Sequence, residues 1–146
     1  MREILFRGKM TYEKEWVNGA LIAVPEYTAI LEHYDNRWNY PYLDGDTGTI
    51  DGGALCVFIE TVGEYSGRTD RNGVKIFEGD IVKTWIEGGA HSGFSWPLGV
   101  VEFRDSSFGI AHGEHKFTPL SAYAPRVLME VIGNIHDNPE LIKEDE

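Results

Sequence analysis

Short apolar runs separated by glycine, asparagine and aspartate recur along the whole chain. This pattern is typical of many short β-strands joined by tight turns. Residues 54–62 contain an unbroken apolar run and are therefore predicted to form the most deeply buried strand. The predicted strands lie at residues 4–8, 20–24, 28–31, 54–62, 79–83, 99–103, 108–110 and 131–135.

Two Asn-Gly pairs predict β-hairpins. Asn72-Gly73 predicts a type I′ turn, because both central residues of that turn need positive φ, which Asn and Gly tolerate best. Asn18-Gly19 predicts a second hairpin immediately before the apolar run at residues 20–24.

Two further local signals concern the second half of the chain. Gly79-Asp80 predicts a turn in which Gly79 takes positive φ and the Asp80 carboxylate accepts hydrogen bonds from nearby backbone groups. Asn138-Pro139 predicts the start of a short C-terminal helix, because Asn can cap it and Pro loses no needed N–H at the first helical position.

These signals predict a mostly β protein built from short-stranded antiparallel sheets. Residues 64–146 combine a Gly-Asp-Ile-Val opening, a looped insertion and a Gly-Val-Val-Glu-Phe strand, a pattern that predicts an SH3-like small barrel. Residues 1–63 are predicted to form an N-terminal β region that includes an irregular segment at 33–53. A chain of 146 residues is short enough for both regions to form one compact unit.

The irregular segment is aromatic in its first half and acidic and glycine-rich in its second half. Aromatic and arginine side chains are enriched at protein interfaces because they bury much area at low entropic cost. These residues can equally cover a core, and the sequence leaves both roles open. The candidate interface residues are Tyr34, Arg37, Trp38, Tyr40 and Tyr42, with Trp96 on a second predicted loop.

Candidate metal and catalytic motifs are weak. Residues 112–115, His-Gly-Glu-His, lack the helical frame of common zinc motifs and are predicted to form an exposed polar turn. Residues 44–51 resemble a calcium loop, but positions six and twelve hold Thr49 and Leu55 instead of the required Gly and Glu. No nucleophile elbow or phosphate-binding loop is present, so the sequence assigns no catalytic residue, metal or cofactor.

The net charge and the cysteine content limit which classes of binding partner and which compartment we expect. The net charge is −11 and the basic residues are scattered singly, which makes direct binding to a phosphate backbone unfavourable. Cys56 is the only cysteine, which fits a reducing cytoplasm, and its apolar neighbours predict a buried, inert thiol. No signal peptide and no apolar run of membrane-spanning length are found, so no membrane partner is expected.

Three blocks of the sequence, in order, resemble the YopX family of small phage- and prophage-encoded proteins. They are residues 1–9 with 15–19, residues 60–83, and residues 131–141. The resemblance implies phage or prophage origin, a β-rich fold and self-association, and it assigns no catalytic residues.

The leading hypothesis is therefore a non-enzymatic accessory protein of the bacterial cytoplasm that acts through protein–protein contacts with phage or host proteins, or as a homo-oligomer. An alternative is a modulator of nucleic-acid metabolism, for example an acidic DNA mimic that occupies a host protein. A third hypothesis is a small hydrolase that uses paired carboxylates.

Overall fold

The computed structural model describes residues 3–24, 27–32, 42–43, 50–51, 54–88, 92–113 and 115–142. The ten strand pairings in this part of the chain are all antiparallel, which confirms the predicted mostly β class. The strands are β1 (Phe6–Lys9), β2 (Trp16–Val24), β3 (Tyr27–Glu32), β4 (Tyr42–Leu43), β5 (Ile50–Asp51), β6 (Ala54–Cys56), β7 (Gly63–Thr69), β8 (Lys75–Phe77), β9 (Asp80–Ile86), β10 (Gly99–Arg104), β11 (Ser107–Ala111), β12 (Phe117–Pro119) and β13 (Val127–Asn134).

Contacts divide the chain into a first unit, Met1–Glu64, and a second unit, Tyr65–Glu146. In the first unit β6, β3, β2 and β1 lie side by side, and Gly63 and Glu64 at the start of β7 pair with β1. Val17, Ile30 and Val57 form its buried cluster. The prediction that the two regions form one compact unit stays a prediction.

The predicted hairpin at Asn18-Gly19 is wrong. Both residues lie inside β2, and Gly19 pairs with Phe6 on one side and with Glu32 on the other. The turn between β1 and β2 lies earlier, where the Met10 N–H donates to the Glu15 carbonyl at 2.9 Å. Strand partners on both sides of β2 therefore override a local turn preference.

The predicted buried strand at residues 54–62 is also wrong in length and burial. Strand β6 ends at Cys56, whose side chain is exposed, and the chain turns into a 3₁₀ turn at Ile59–Thr61. Among the described residues β6 is an edge strand that pairs with β3 alone. Side chains alternate between the two faces here, so Val57 is buried and Cys56 is exposed.

The second unit contains a five-stranded sheet in the order β12-β11-β10-β9-β13. Six members of its buried hydrophobic cluster lie on these strands and on β8, and the seventh, Leu120, lies on the 3₁₀ turn that follows β12. The buried cluster comprises Ile76, Val82, Val101, Phe108, Ile110, Leu120 and Met129.

The turn that contains Asn72 and Gly73 is a hairpin of a different type from the one predicted. The Gly73 N–H donates to the Asp70 carbonyl at 3.0 Å, so the turn runs from Asp70 to Gly73. Gly73 has φ +81°, whereas Asn72 keeps negative φ, which excludes type I′. A type I turn followed by a glycine in the left-handed region is the usual three-residue hairpin loop.

Asp70 ties this turn to β13. Its carboxylate accepts hydrogen bonds from the N–H groups of Asn72 (2.8 Å), Val74 (2.9 Å) and Val131 (3.0 Å). Burial alone would raise the pKa of Asp70, but these three bonds and the charge of Arg71 outweigh it and lower the pKa.

Gly79 and Asp80 form the turn between β8 and β9. Gly79 has φ +93°, and the buried Asp80 carboxylate accepts a hydrogen bond from the Phe77 N–H at 2.7 Å. These groups fix the start of β9, the strand that pairs with both β10 and β13.

Two finer fold predictions require correction. The five-stranded sheet is open between its edge strands β12 and β13, so no closed barrel is formed by the described residues. The predicted C-terminal helix is a single 3₁₀ turn, Pro139–Leu141. Asn138 does not cap it, because its side-chain oxygen accepts a hydrogen bond from the Asn134 N–H at 3.2 Å instead.

Candidate binding cleft

The structure describes only some of the predicted interface residues. Tyr34, Arg37, Trp38 and Tyr40 lie outside the described residues. Tyr42 belongs to β4, where the structure describes the backbone. Their interface role therefore stays a prediction. Trp96 is described in full and locates a site in the second unit.

Trp96 lies on the connection between β9 and β10, which folds back along β9. The Ile86 N–H donates to the Phe94 carbonyl at 2.7 Å, and the Trp96 N–H donates to the Thr84 carbonyl at 3.0 Å. This short antiparallel pairing holds Phe94 and Trp96 two positions apart on the same side of the connection.

Three aromatic rings form a perpendicular series around Trp96. Its ring centroid lies 4.9 Å from that of Phe94 at an interplanar angle of 89°, and 5.8 Å from that of Tyr123 at 88°. Edge-to-face contacts of this kind are favourable beyond the area that they bury. Phe94 is 53% exposed and Trp96 is half-buried, so the series runs from the surface inwards.

Beside Trp96 an open cleft of about 870 Å³ separates the segment before β10 from the connection between β11 and β12. This volume lies within the range of about 300–1,000 Å³ that small-ligand sites occupy. The lining residues are Trp96, Pro97, Leu98, His112, Gly113, His115, Lys116, Phe117 and Thr118.

His112 lies over Gly99, where a side chain would not fit. A Cβ atom on Gly99 would come within 2.9 Å of His112 Cε1 and 2.2 Å of Ile110 Cγ2. Both ring nitrogens of His112 are buried, and neither has a hydrogen-bond partner among the described residues. The carbonyls of Pro97 and Leu98 are close enough to favour the protonated ring but do not bond to it with good geometry.

Burial lowers the pKa of His112, and the nearby Lys116 charge lowers it further. The ring is therefore neutral at pH 7. The prediction of an exposed polar turn at residues 112–115 is wrong for His112, which is half-buried, whereas His115 is exposed. Glu114 lies outside the described residues, and the described residues contain no cluster of three metal-ligating side chains.

Tyr123 closes the inner end of the aromatic series. Its hydroxyl is buried and makes no well-formed hydrogen bond within the part of the chain that the structure describes, although the Thr118 side chain lies near it. Burial raises the pKa of Tyr123, and the Thr118 contact only partly offsets this effect. The hydroxyl therefore stays protonated over the physiological range of pH.

The opposite wall of the cleft is formed by Phe117 on the edge strand β12. Its ring packs against Gly109, where a Cβ atom would come within 2.5 Å of Phe117 Cζ. The Arg104 guanidinium lies 5.3 Å from the ring centroid and is paired with Glu102 at 3.0 Å.

Several cleft residues had no distinct signal in the sequence. The alternation of Phe94 and Trp96 around a serine could have identified Phe94 as its companion, because a strand places such positions on one side. Tyr123, Leu98 and Lys116 reach the site through tertiary structure, which local patterning does not report.

The described carboxylates do not make an acid–base pair in this cleft. Asp70 and Asp80 bind backbone N–H groups, and the lowered pKa of Asp70 is opposite to what a general acid needs.

In the described part of the chain no helix is long and apolar enough to cross a membrane.

A family model described as "YopX protein" matches residues 5–143. The crystal structure of protein EF1440 from Enterococcus faecalis superimposes with a TM-score of 0.60 at 24% sequence identity, covering 98% of this chain and 100% of that chain. At this identity the likeness shows a shared fold alone. None of the proteins with curated descriptions matches the chain.

Proposed function

Because the chain belongs to the YopX family, we propose that it is a non-catalytic phage or prophage accessory protein that works through protein–protein contacts. The family match confirms the resemblance that the sequence blocks suggested. We place its action in the bacterial cytoplasm and include self-association among its contacts.

The observation that carries this proposal is the aromatic surface formed by Phe94 and Trp96. Phe94 leaves 53% of its surface exposed although its ring is already held in place by Trp96. A fixed aromatic ring loses little entropy when a partner covers it, which is why such residues dominate binding energy at interfaces.

The test is native mass spectrometry of the full chain purified gently from host lysate, with Phe94→Ala beside the wild type. Phe103→Ala is a matched control. Phe103 is 51% exposed, and its ring centroid lies 4.9 Å from that of Phe108, the same separation as between Phe94 and Trp96. We expect a homo-oligomer or a partner complex that Phe94→Ala weakens and Phe103→Ala leaves unchanged. A wild-type chain that is monomeric and captures no protein overturns the proposal.

We also propose that the second unit is an open barrel of the SH3-like kind. Support comes from its strand order, in which β9, β10, β11 and β12 follow one another and β13 returns beside β9. Backbone NOEs in the full chain test this: a sheet that curls brings β12 towards β13, whereas a flat sheet keeps them apart.

A second candidate function is favoured by the net charge of −11. An acidic surface can occupy the nucleic-acid site of a host protein by complementary charge. A mimic of this kind would displace DNA from its host target and would bind no DNA itself, and a competition assay separates these outcomes. Displacement that persists at high salt would count against it, because such contacts are screened.

A further inference from the structure

The cleft in the second unit differs chemically from the acidic chain that surrounds it. Its apolar walls are provided by Trp96, Leu98 and Phe117. Every ionisable side chain among the described lining residues is basic or a histidine, namely His112, His115 and Lys116. His115 and Lys116 are exposed at the rim, where a bound ligand can reach them.

The edge of β12, which pairs with no further strand among the described residues, borders the same cleft. The His112 N–H donates to the Lys116 carbonyl at 2.8 Å, which makes these two residues a hydrogen-bonded pair. Pairs alternate along an antiparallel ladder, so the next pair, Ala111 with Phe117, is of the non-hydrogen-bonded kind. The N–H and C=O of Phe117 therefore point away from β11, towards the open side of the edge strand β12.

Pro119 limits what this edge can accept. It follows Phe117 by two positions and has no N–H, so β12 cannot support a long added strand. A short extended peptide needs only the exposed groups of Phe117 and the side chains beside them. Edges restricted in this way resist open-ended sheet stacking.

Building on the proposed protein-contact function, we propose that this cleft binds an extended acidic segment of a partner protein by adding it along β12. The added backbone bonds to the N–H and C=O of Phe117. An apolar side chain of the segment packs against Trp96 and Leu98, and its carboxylates lie beside Lys116 and His115. Main-chain bonds then provide affinity and side-chain contacts provide selectivity.

The first test selects ligands from a random-sequence peptide library with the immobilised full chain. We expect enrichment of peptides rich in Asp and Glu around one Leu, Ile, Phe or Trp. Enrichment of basic or uncharged peptides overturns the proposal, and so does the absence of any enriched peptide.

The second test measures the affinity of a selected peptide by fluorescence anisotropy. We expect Lys116→Gln to weaken binding about threefold, the range of a partly solvated ion pair. Lys83→Gln removes the same charge from an exposed lysine on β9 of the same unit and should leave binding unchanged. Equal losses in both variants would show that only net charge matters and would overturn the proposal.

The third test addresses the mode of binding through amide hydrogen exchange. The exposed N–H of Phe117 gains a partner when a peptide adds along β12, so we expect its exchange to slow in the complex. Binding that leaves the Phe117 amide unprotected overturns strand addition, whatever the peptide affinity.

These outcomes separate the inference from the proposed function. If no acidic peptide binds but the protein still forms a complex that Phe94→Ala weakens, the cleft proposal fails and the contact function stands. If acidic peptides bind at β12 but the chain neither self-associates nor captures a protein from lysate, the cleft proposal stands and the contact function fails.

Discussion

The two units of this protein stabilise their β-strands by different means. Among the described residues, the second unit buries a cluster of seven hydrophobic side chains, whereas the first buries a cluster of three. The second unit also fixes its turns with buried carboxylates, Asp70 and Asp80, and the first fixes its 3₁₀ turn with the Thr61 hydroxyl. Because the pKa of the buried Asp70 carboxylate is lowered in the folded state, the second unit's turn makes stability depend on pH, whereas a hydroxyl adds no such dependence.

The largest effect should come from the same truncation in each core. Ile110 and Ile30 are both fully buried on strands, and an Ile→Ala change costs about 2–5 kcal/mol. We expect Ile110→Ala to cost about 4 kcal/mol and Ile30→Ala about 2 kcal/mol, because a cavity in a larger, closely packed cluster collapses less. Urea denaturation measures both, and equal losses would remove the distinction between the two cores.

Asp70→Asn should have the next largest effect, about 2 kcal/mol at pH 7, because the amide cannot accept all three backbone bonds. The folded pKa of Asp70 lies below its unfolded value, so its contribution is complete above about pH 4. That contribution disappears as the pH falls through the lower folded pKa.

Unfolding free energies measured across the acid range should therefore show a shallower pH dependence in Asp70→Asn than in the wild type. Glu87→Gln, at an exposed site of the same unit, is the control and should keep the wild-type slope. An unchanged slope in Asp70→Asn would show that another group governs acid stability.

Thr61→Val tests the hydroxyl that holds the 3₁₀ turn of the first unit through hydrogen bonds. The Thr61 hydroxyl accepts a hydrogen bond from the Lys9 N–H at 2.9 Å and donates one to the Phe58 carbonyl at 2.6 Å. Removing it should cost about 1–2 kcal/mol and leave the pH dependence unchanged, because no charge is lost. Thr61→Ser retains the hydroxyl and should recover most of the loss in the same denaturation experiment.

The smallest effect should be a gain in the second unit. The hairpin between β10 and β11 turns at Asp105 (φ 49°) and Ser106 (φ 67°), two non-glycine residues in the left-handed region. Such a turn favours Asn-Gly, so Asp105→Asn combined with Ser106→Gly should stabilise the protein by about 0.5–1 kcal/mol. A lower midpoint of thermal unfolding in the double variant would show that the left-handed φ of Asp105 and Ser106 does not destabilise this turn.

The β class and the positions of two turns could be read from the sequence because their causes are local. Gly73 and Gly79 both take positive φ, and Asp80 bonds to the backbone three residues away. The type of the first turn was predicted wrongly, because Asp70 holds Asn72 in negative φ through a carboxylate that also bonds to β13.

The sequence by itself determined a β-rich chain of the YopX family with tight turns at fixed places, since turn chemistry and strand patterning act over a few residues. Tertiary structure decided the rest. Neighbouring strands on both sides placed Asn18-Gly19 inside β2, and the edge position of β6 exposed Cys56. The cleft joins Trp96 to residues 112–118, and only the pairing of β10 with β11 brings those segments together.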